Sequence, residues 1–411
     1  MVFMVTQPVL REVWAGAFRD RVVHHWEHLR YRSVLERYFV YAGDRSMNCR
    51  KGYGALRAVR TLQRSLYDYT EGYTRDDCYI VGGDFANFFM SIDKELLWSL
   101  LSELMEKVYK GSDRAALLYM MRTTMFHRCQ DDYFRRSPEG MWAGLPARKS
   151  LFHMNGLPIG NLPSQNWANF LGAVATIYAV NELRLDGFLI FVDDWRGLVR
   201  TRDEGRRVIE EFRRYLADEL HITLHPDKVY LQHYTKGTKL VGAVIKPPSA
   251  RRGNGVLRKW LERGVDRRVL SRRKFVKYLM AGLSRKGGER RERGRVYISN
   301  RTRGRFIEAM RRYKERAERA DEAGRVKMLE ELRGSVNSYL GMMLHFDSYK
   351  LRRGIVEEWV VPVWGRYVYF EEEYKVMKIR KAYDEKFLLR HRLKRHEYAA
   401  EFIRPKNKVA G

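Results

Sequence analysis

The sequence predicts an α/β fold of the α+β kind: a sheet with helices packed on one side, followed by a mostly helical, strongly basic part. Three observations predict it. Short apolar runs that end in acidic residues alternate with stretches of helical periodicity. A Pro- and Gly-rich break, Pro247 to Gly255, interrupts periodic structure. Beyond it, residues 251–300 hold 17 Lys+Arg against 4 Asp+Glu, interleaved with apolar residues as in Lys274-Phe275-Val276-Lys277-Tyr278, the pattern of an amphipathic basic helix.

In chain order, Cys78 to Val81 reads as a strand leading into Gly82-Gly83-Asp84. Asp93 to Val108 is helical, with Leu96, Leu97, Leu100, Leu101 and Leu104 on one face and Asp93 as its cap. Ser164 to Ala179 is a second helix, capped by Ser164, and Asp203 to Leu220 a third. Phe188–Val192 and Arg196–Val199 read as two strands with Asp193-Asp194 at the turn.

The whole chain has 411 residues, and 79 Lys+Arg against 50 Asp+Glu give a net charge of +29. That length suggests two or three domains. With 45% apolar and 13% aromatic residues, the chain is not a disordered polycation. No run of about 18 apolar residues predicts a membrane span. Met1–Leu10 lacks the basic start and small-residue cleavage site of a leader. Cys49, Cys78 and Cys129 have neither zinc-site nor disulfide-framework spacing. The expectation is a reduced, cytoplasmic protein whose charge calls for a polyanion, nucleic acid first.

Asp193-Asp194 alone reads equally as a polar hairpin turn. Joined to Asp84, 109 residues earlier at another strand end, it suggests three carboxylates on one sheet edge. Such a group would hold two Mg²⁺ (or Mn²⁺), hard cations that prefer carboxylate oxygens. Two ions about 3.5–4 Å apart stabilise both the attacking and leaving oxygens of phosphoryl transfer. In a basic protein, that chemistry points to nucleotidyl transfer.

These residues also carry a resemblance. Gly83-Asp84-Phe85-Ala86-Asn87-Phe88-Phe89-Met90-Ser91-Ile92, then Gly156-Leu157-Pro158-Ile159-Gly160-Asn161-Leu162-Pro163-Ser164-Gln165, then Phe191-Val192-Asp193-Asp194 resemble, in order, palm motifs of reverse transcriptases. His225-Pro226-Asp227-Lys228 and Lys239-Leu240-Val241-Gly242 are similar to the two that follow, and Arg11-Glu12-Val13 and Arg50–Gly54 to the fingers. The resemblance covers roughly residues 10–350. It implies a right-hand polymerase: fingers over 1–75, a palm with antiparallel sheet and packed helices over 76–246 (finger insertion 109–150), a helical thumb over 247–350 and an extension over 351–411.

The resemblance further implies Asp84, Asp193, Asp194 and the Phe85 carbonyl as metal ligands, with Lys228 as a general acid or an ordinary surface lysine. Arg11, Phe85, Phe89, Ile159, Gly160 and Gln165 would meet the incoming dNTP; Gly156, Pro158, Asn161 and Gly242 would meet template or primer. Phe89 would exclude a ribose 2′-hydroxyl, or it is core, as Phe88 is expected to be. Ile159 stands where many such enzymes have Gln; it relaxes fidelity or simply packs. The Ile-Gly-Asn-Leu-Pro-Ser-Gln form resembles diversity-generating retroelement enzymes and some phage-defence enzymes. The first class copies a template RNA into cDNA, misincorporates opposite adenine and works with a small basic accessory variability determinant protein. An inactive RNA-binding scaffold and an RNA-synthesising polymerase are the readings of other classes. His24-x-x-Glu27-His28 matches a zinc-protease pattern, but it lies within the finger-like stretch.

Overall fold

The computed structural model describes residues 1–6, 9–248 and 294–384. Most of the 247–255 break and of the basic 251–300 stretch lies outside the described residues, as does its Lys274–Met280 run. The described residues up to Val241 form one compact unit, and those from Arg295 onward, with Gly242–Val244, a second.

The first unit opens with a β1 (Val2–Val5) and β2 (Arg11–Trp14) hairpin. Helices α1 (Phe18–Tyr41) and α2 (Ala55–Tyr69) follow, then β3 (Tyr79–Asp84) and a one-turn α3 (Phe88–Ser91). Next come α4 (Lys94–Val108), α5 (Arg114–Phe126), α6 (Glu139–Ala143) and α7 (Leu162–Ile177). The strands β4 (Asp186–Phe191) and β5 (Asp194–Val199), α8 (Arg202–Asp218), β6 (Tyr230–His233) and β7 (Thr238–Leu240) complete it. The main sheet is antiparallel, in the order β4-β5-β3-β6.

Local chemistry explains the helix ends. Asp93 caps α4, its Oδ1 accepting from the Glu95 and Leu96 amides at 2.9 and 3.1 Å. Thr201 and Glu204 form a capping box at the start of α8. Ser164 is not the cap expected for α7. The helix starts earlier, after Asn161, with Pro163 in its first turn, and Ser164 is buried inside it. Proline lacks the N–H that a first-turn position leaves unpaired anyway, so the start moves to it. Nearly every residue of α7 from Pro163 to Thr176 is buried, which marks a central helix enclosed on all sides.

Helices lie on both faces of the sheet, not one. Val81, Phe188, Ile190, Trp195 and Val199 share one core with α4, α7 and α8. Leu198, one residue out of phase, faces the other way and meets α2: a Cβ at Gly187 would fall 2.8 Å from Leu198 and 3.0 Å from Ser65. The buried stripe Ala58, Val59, Leu62 and Leu66 gives α2 its inner face. The zinc-protease pattern on α1 is absorbed by packing. Glu27 is fully buried, its Oε1 accepting from the Thr124 hydroxyl at 2.5 Å, and burial pushes its carboxyl up. The described residues hold no group of three His, Cys, Asp or Glu set to bind a metal there.

In the second unit, α9 (Asn300–Glu318), α10 (Glu322–Met343) and α11 (Tyr349–Ile355) enclose Phe306, Met310, Leu332, Val336 and Leu340. Trp364, Met377 and Ile379 belong to the same core. Asn337 clamps the backbone of Met377 with both ends of its amide, at 3.0 and 2.7 Å.

Candidate active site

Antiparallel register brings the acidic residues together. Asp84, the last residue of β3, stands opposite Asp194, the first of β5. Between β4 and β5 the turn is Val192-Asp193, one residue earlier than the sequence suggests, because Phe191 pairs with Asp194. Val192 takes φ +62°, a backbone that Gly or Asn normally supplies in such turns and that costs a β-branched residue about 1–3 kcal/mol. The Phe85 N–H donates to the Asp193 carbonyl at 3.0 Å, tying the turn to the end of β3.

The electrostatics follow from crowding. Burial pushes the Asp193 carboxyl up to about 7, and its neighbour Asp84, through charge and a shared hydrogen bond, pushes the same way. Burial also raises Asp194, against the opposing pull of Arg196. Two cations answer the cluster. Lys228, on the Pro226–Lys228 turn, pairs with Asp84. Arg196, 5% exposed, pairs with Asp194, donates to the Lys239 carbonyl at 3.0 and 2.6 Å and lies 4.8 Å over the Tyr230 ring.

Arg196 escaped the motif reading, although its position two residues after Asp194 puts both on one strand face. The two glycines before Asp84 make room for it and its neighbour. A Cβ at Gly82 would lie 2.8 Å from Arg196 Cδ, and one at Gly83 2.9 Å from Trp195 Nε1.

The donor set suits a hard divalent cation. Asp84 crowds Asp193 and raises its carboxyl, and a divalent cation would relieve the repulsion between the two carboxylates. As they stand, Asp84 and Asp194 are turned to Lys228 and Arg196, and no three acidic groups among the described residues form a ready cage. Binding would require those pairs to loosen.

The other expected residues divide. Phe85 and Phe88 are buried in the core, and Phe89 beside them is half-buried. Gly156, expected to approach a template base, instead meets the chain itself: a Cβ there would lie 2.2 Å from the Phe89 carbonyl. Ile159 packs beside Trp14, Met90 and Leu151, which favours its packing role. Gly160, at φ +119°, passes β2 so closely that a Cβ would lie 2.6 Å from the Trp14 carbonyl. Pro158 is half-buried, and the Asn161 Oδ1 is buried with no hydrogen-bond partner. Gln165 is exposed, accepting from the Cys49 thiol at 3.6 Å. Arg11 is exposed at the start of β2. Gly242 belongs to the second unit, where its carbonyl accepts from the Ser299 N–H at 2.9 Å.

Along α2 runs an open groove of about 1230 Å³, lined among others by Arg45, Arg57, Arg60, Arg64, Asp68 and Asp186. Arg57, Arg60 and Arg64 form its exposed stripe, opposite the helix's buried face.

No family model and no curated protein matches the chain. Among solved structures, it is similar to apo telomerase of Candida tropicalis truncated from its C-terminal domain, at 10% identity and a TM-score of 0.41, over 60% of this chain and 52% of that one. It is also similar to telomerase of Candida albicans in complex with a fragment of telomeric RNA, at 12% identity and a TM-score of 0.38, over 89% of this chain and 62% of that one. The chain thus spans between about half and three-fifths of those two telomerases. No helix among the described residues is long and apolar enough to cross a membrane.

Proposed function

We propose that the chain is an RNA-directed DNA polymerase, a reverse transcriptase that extends a primer on template RNA by nucleotidyl transfer. The observation that carries this reading is the convergence of Asp84, Asp193 and Asp194 at one strand end. A scaffold that only bound RNA would gain nothing from crowding three anions that repel.

Asp84, Asp193 and Asp194, with the Phe85 carbonyl, are the groups to hold two Mg²⁺ or Mn²⁺. When bound, such ions neutralise the triphosphate and make the primer 3′-hydroxyl easier to ionise. The 3′-hydroxyl gives its proton to solvent as its oxygen forms a bond to the α-phosphorus, the bond from that phosphorus to the bridging oxygen breaks, and pyrophosphate leaves. Lys228 Nζ, beside Asp84, holds a proton that the departing pyrophosphate can take. Arg196, itself buried, pairs with Asp194 and pulls against the burial that raises its carboxyl. Phe89, half-buried in α3 five residues after Asp84, is the group to exclude a 2′-hydroxyl.

Purified protein with Mg²⁺, dNTPs and a primed RNA should extend the primer. Intact RNA binding without extension would favour the scaffold, and preferential use of rNTPs an RNA polymerase. In the same assay Phe89→Ala should lose about 10²-fold of its preference for dNTPs, the scale on which a shape-selective pocket discriminates. Unchanged preference would remove Phe89 as the gate.

The arginine stripe of α2 gives the RNA–DNA duplex or template a phosphate contact independent of sequence. Arg60→Glu with Arg64→Glu should flatten the slope of log K against log salt by roughly 1–2, about one phosphate contact per arginine. An unchanged slope in a salt titration would place the nucleic acid elsewhere.

The finer reading is adenine-mutagenic copying in a diversity-generating retroelement, with a small basic oligomeric accessory protein as partner. It is supported by the sequence form of residues 159–165 alone. Substitutions confined to template adenines in the cDNA would support it; evenly spread errors would favour the phage-defence reading.

A further inference from the structure

We infer that Asn48 is a positioning residue for the acidic turn, setting where the Asp193 carboxyl lies. This deepens the polymerase reading and rests on it. Residues 45–47 run alongside the end of β4. The Met47 N–H donates to the Ile190 carbonyl at 2.9 Å, and the Ile190 N–H donates to the Arg45 carbonyl at 3.1 Å. Asn48, 5% exposed, then reaches in two directions. Its Oδ1 accepts from the Val192 N–H at 2.9 Å, and its own carbonyl accepts from the Asn169 amide on α7 at 3.2 Å. One residue therefore ties the turn to the central helix.

The anchor is itself held. Arg50, whose side chain is 1% exposed, donates to the Ser46 carbonyl at 3.0 Å and pairs with Glu36 and Asp44 at 2.9 and 2.8 Å. Its guanidinium lies over the rings of Phe39 and Tyr53. This bracing matters because Val192 sits at φ +62°, where a β-branched residue does not stay without outside support. On one side of Asp193 the turn is held by Asn48, on the other by the Phe85 N–H. Releasing the first lets Val192 relax and carries the neighbouring carboxyl away from Asp84. A displacement of about 1 Å at a reacting centre costs on the order of 10²-fold in rate.

The test uses the full chain with primed RNA, dNTPs and Mg²⁺, beside hydrogen–deuterium exchange of residues 186–199. Asn48→Ala should lower kcat by about 10–100-fold, with KM for dNTP and RNA affinity within about threefold of the parent. Exchange should quicken in the hairpin and stay unchanged in residues 94–108. Adding Val192→Gly should restore at least about fivefold of the lost kcat, because glycine takes φ > 0 without an anchor. If Asn48→Ala alone is too unstable to assay, the double variant decides, by folding and turning over. Parent-like kcat in Asn48→Ala, or a loss that Val192→Gly does not relieve, would overturn the inference. No synthesis by the parent itself would instead overturn the polymerase reading and take this inference with it.

Discussion

Replacing Asp193 with asparagine should lower nucleotide addition by at least about 10³-fold, the scale of removing one preorganised electrostatic group from such a site, while RNA affinity stays within about twofold. The same change should stabilise the protein at alkaline pH. Burial and Asp84 raise the Asp193 carboxyl to about 7 in the folded chain, well above its unfolded value near 3.9. A raised carboxyl contributes stability below the unfolded pKa and loses it as pH rises through the folded one. The parent should therefore weaken between roughly pH 4 and 8, and the Asp193→Asn variant, whose amide is isosteric and never charged, should weaken less, keeping only the contributions of the other raised carboxyls, Asp194 and Glu27. On discounting for partial exposure, the variant should gain on the order of 1–2 kcal/mol at pH 8 in the absence of divalent ions. Added Mg²⁺ should narrow that gap by stabilising the parent alone. Primer extension with urea melts across pH tests both halves. Activity and stability moving in the same direction would show that Asp193 is structural.

Arg196→Met should be the costliest single change near the site. Arg196 is buried against the half-buried Asp194, and its guanidinium also satisfies the Lys239 carbonyl. Breaking a buried pair by removing one partner costs about 3–5 kcal/mol when both groups are fully desolvated. The Asp194 side chain is 29% exposed, so about 2–3 kcal/mol is expected at pH 8. The deficit should depend on pH with a definite sign. Without the cation, the folded pKa of Asp194 rises further above its unfolded value. The variant's deficit should then be smallest below about pH 3, where Asp194 is protonated in both states, and grow as pH rises through the unfolded value near 3.9. Urea unfolding at several pH values reads this directly. A variant within about 0.5 kcal/mol of the parent at pH 8, the scale of an ordinary surface change, would mean that Arg196 does not hold Asp194.

The candidate site was partly legible in the string. Asp84 and the Asp193-Asp194 pair stand out because apolar runs that end in acids are locally unfavourable. The cap at Asp93 is likewise local chemistry, readable within a turn. Ser164 misled because its hydroxyl could cap a helix, whereas the proline before it moves the start back to Asn161. Gly156 looked like a place for a ligand to approach, and it is a place where the chain approaches itself. The helix α2 carries the groove arginines on one face and core residues on the other. Its periodicity was readable, but no catalytic motif drew attention to it.

Turn chemistry, helical period and charge are properties of neighbouring residues, so the amino-acid order alone placed the strands that end at Asp84 and flank Asp193, the helices that follow Asp93 and Asp203, and the positive charge of the whole chain. The partners of those acids were decided by folding. Register sets Asp84 against Asp194 across 110 residues. The same folding buries Arg196 beneath that pair and brings Asn48 under a valine that local preference would not bend. Such pairings depend on which distant backbones share hydrogen bonds, and only the assembled core chooses among them.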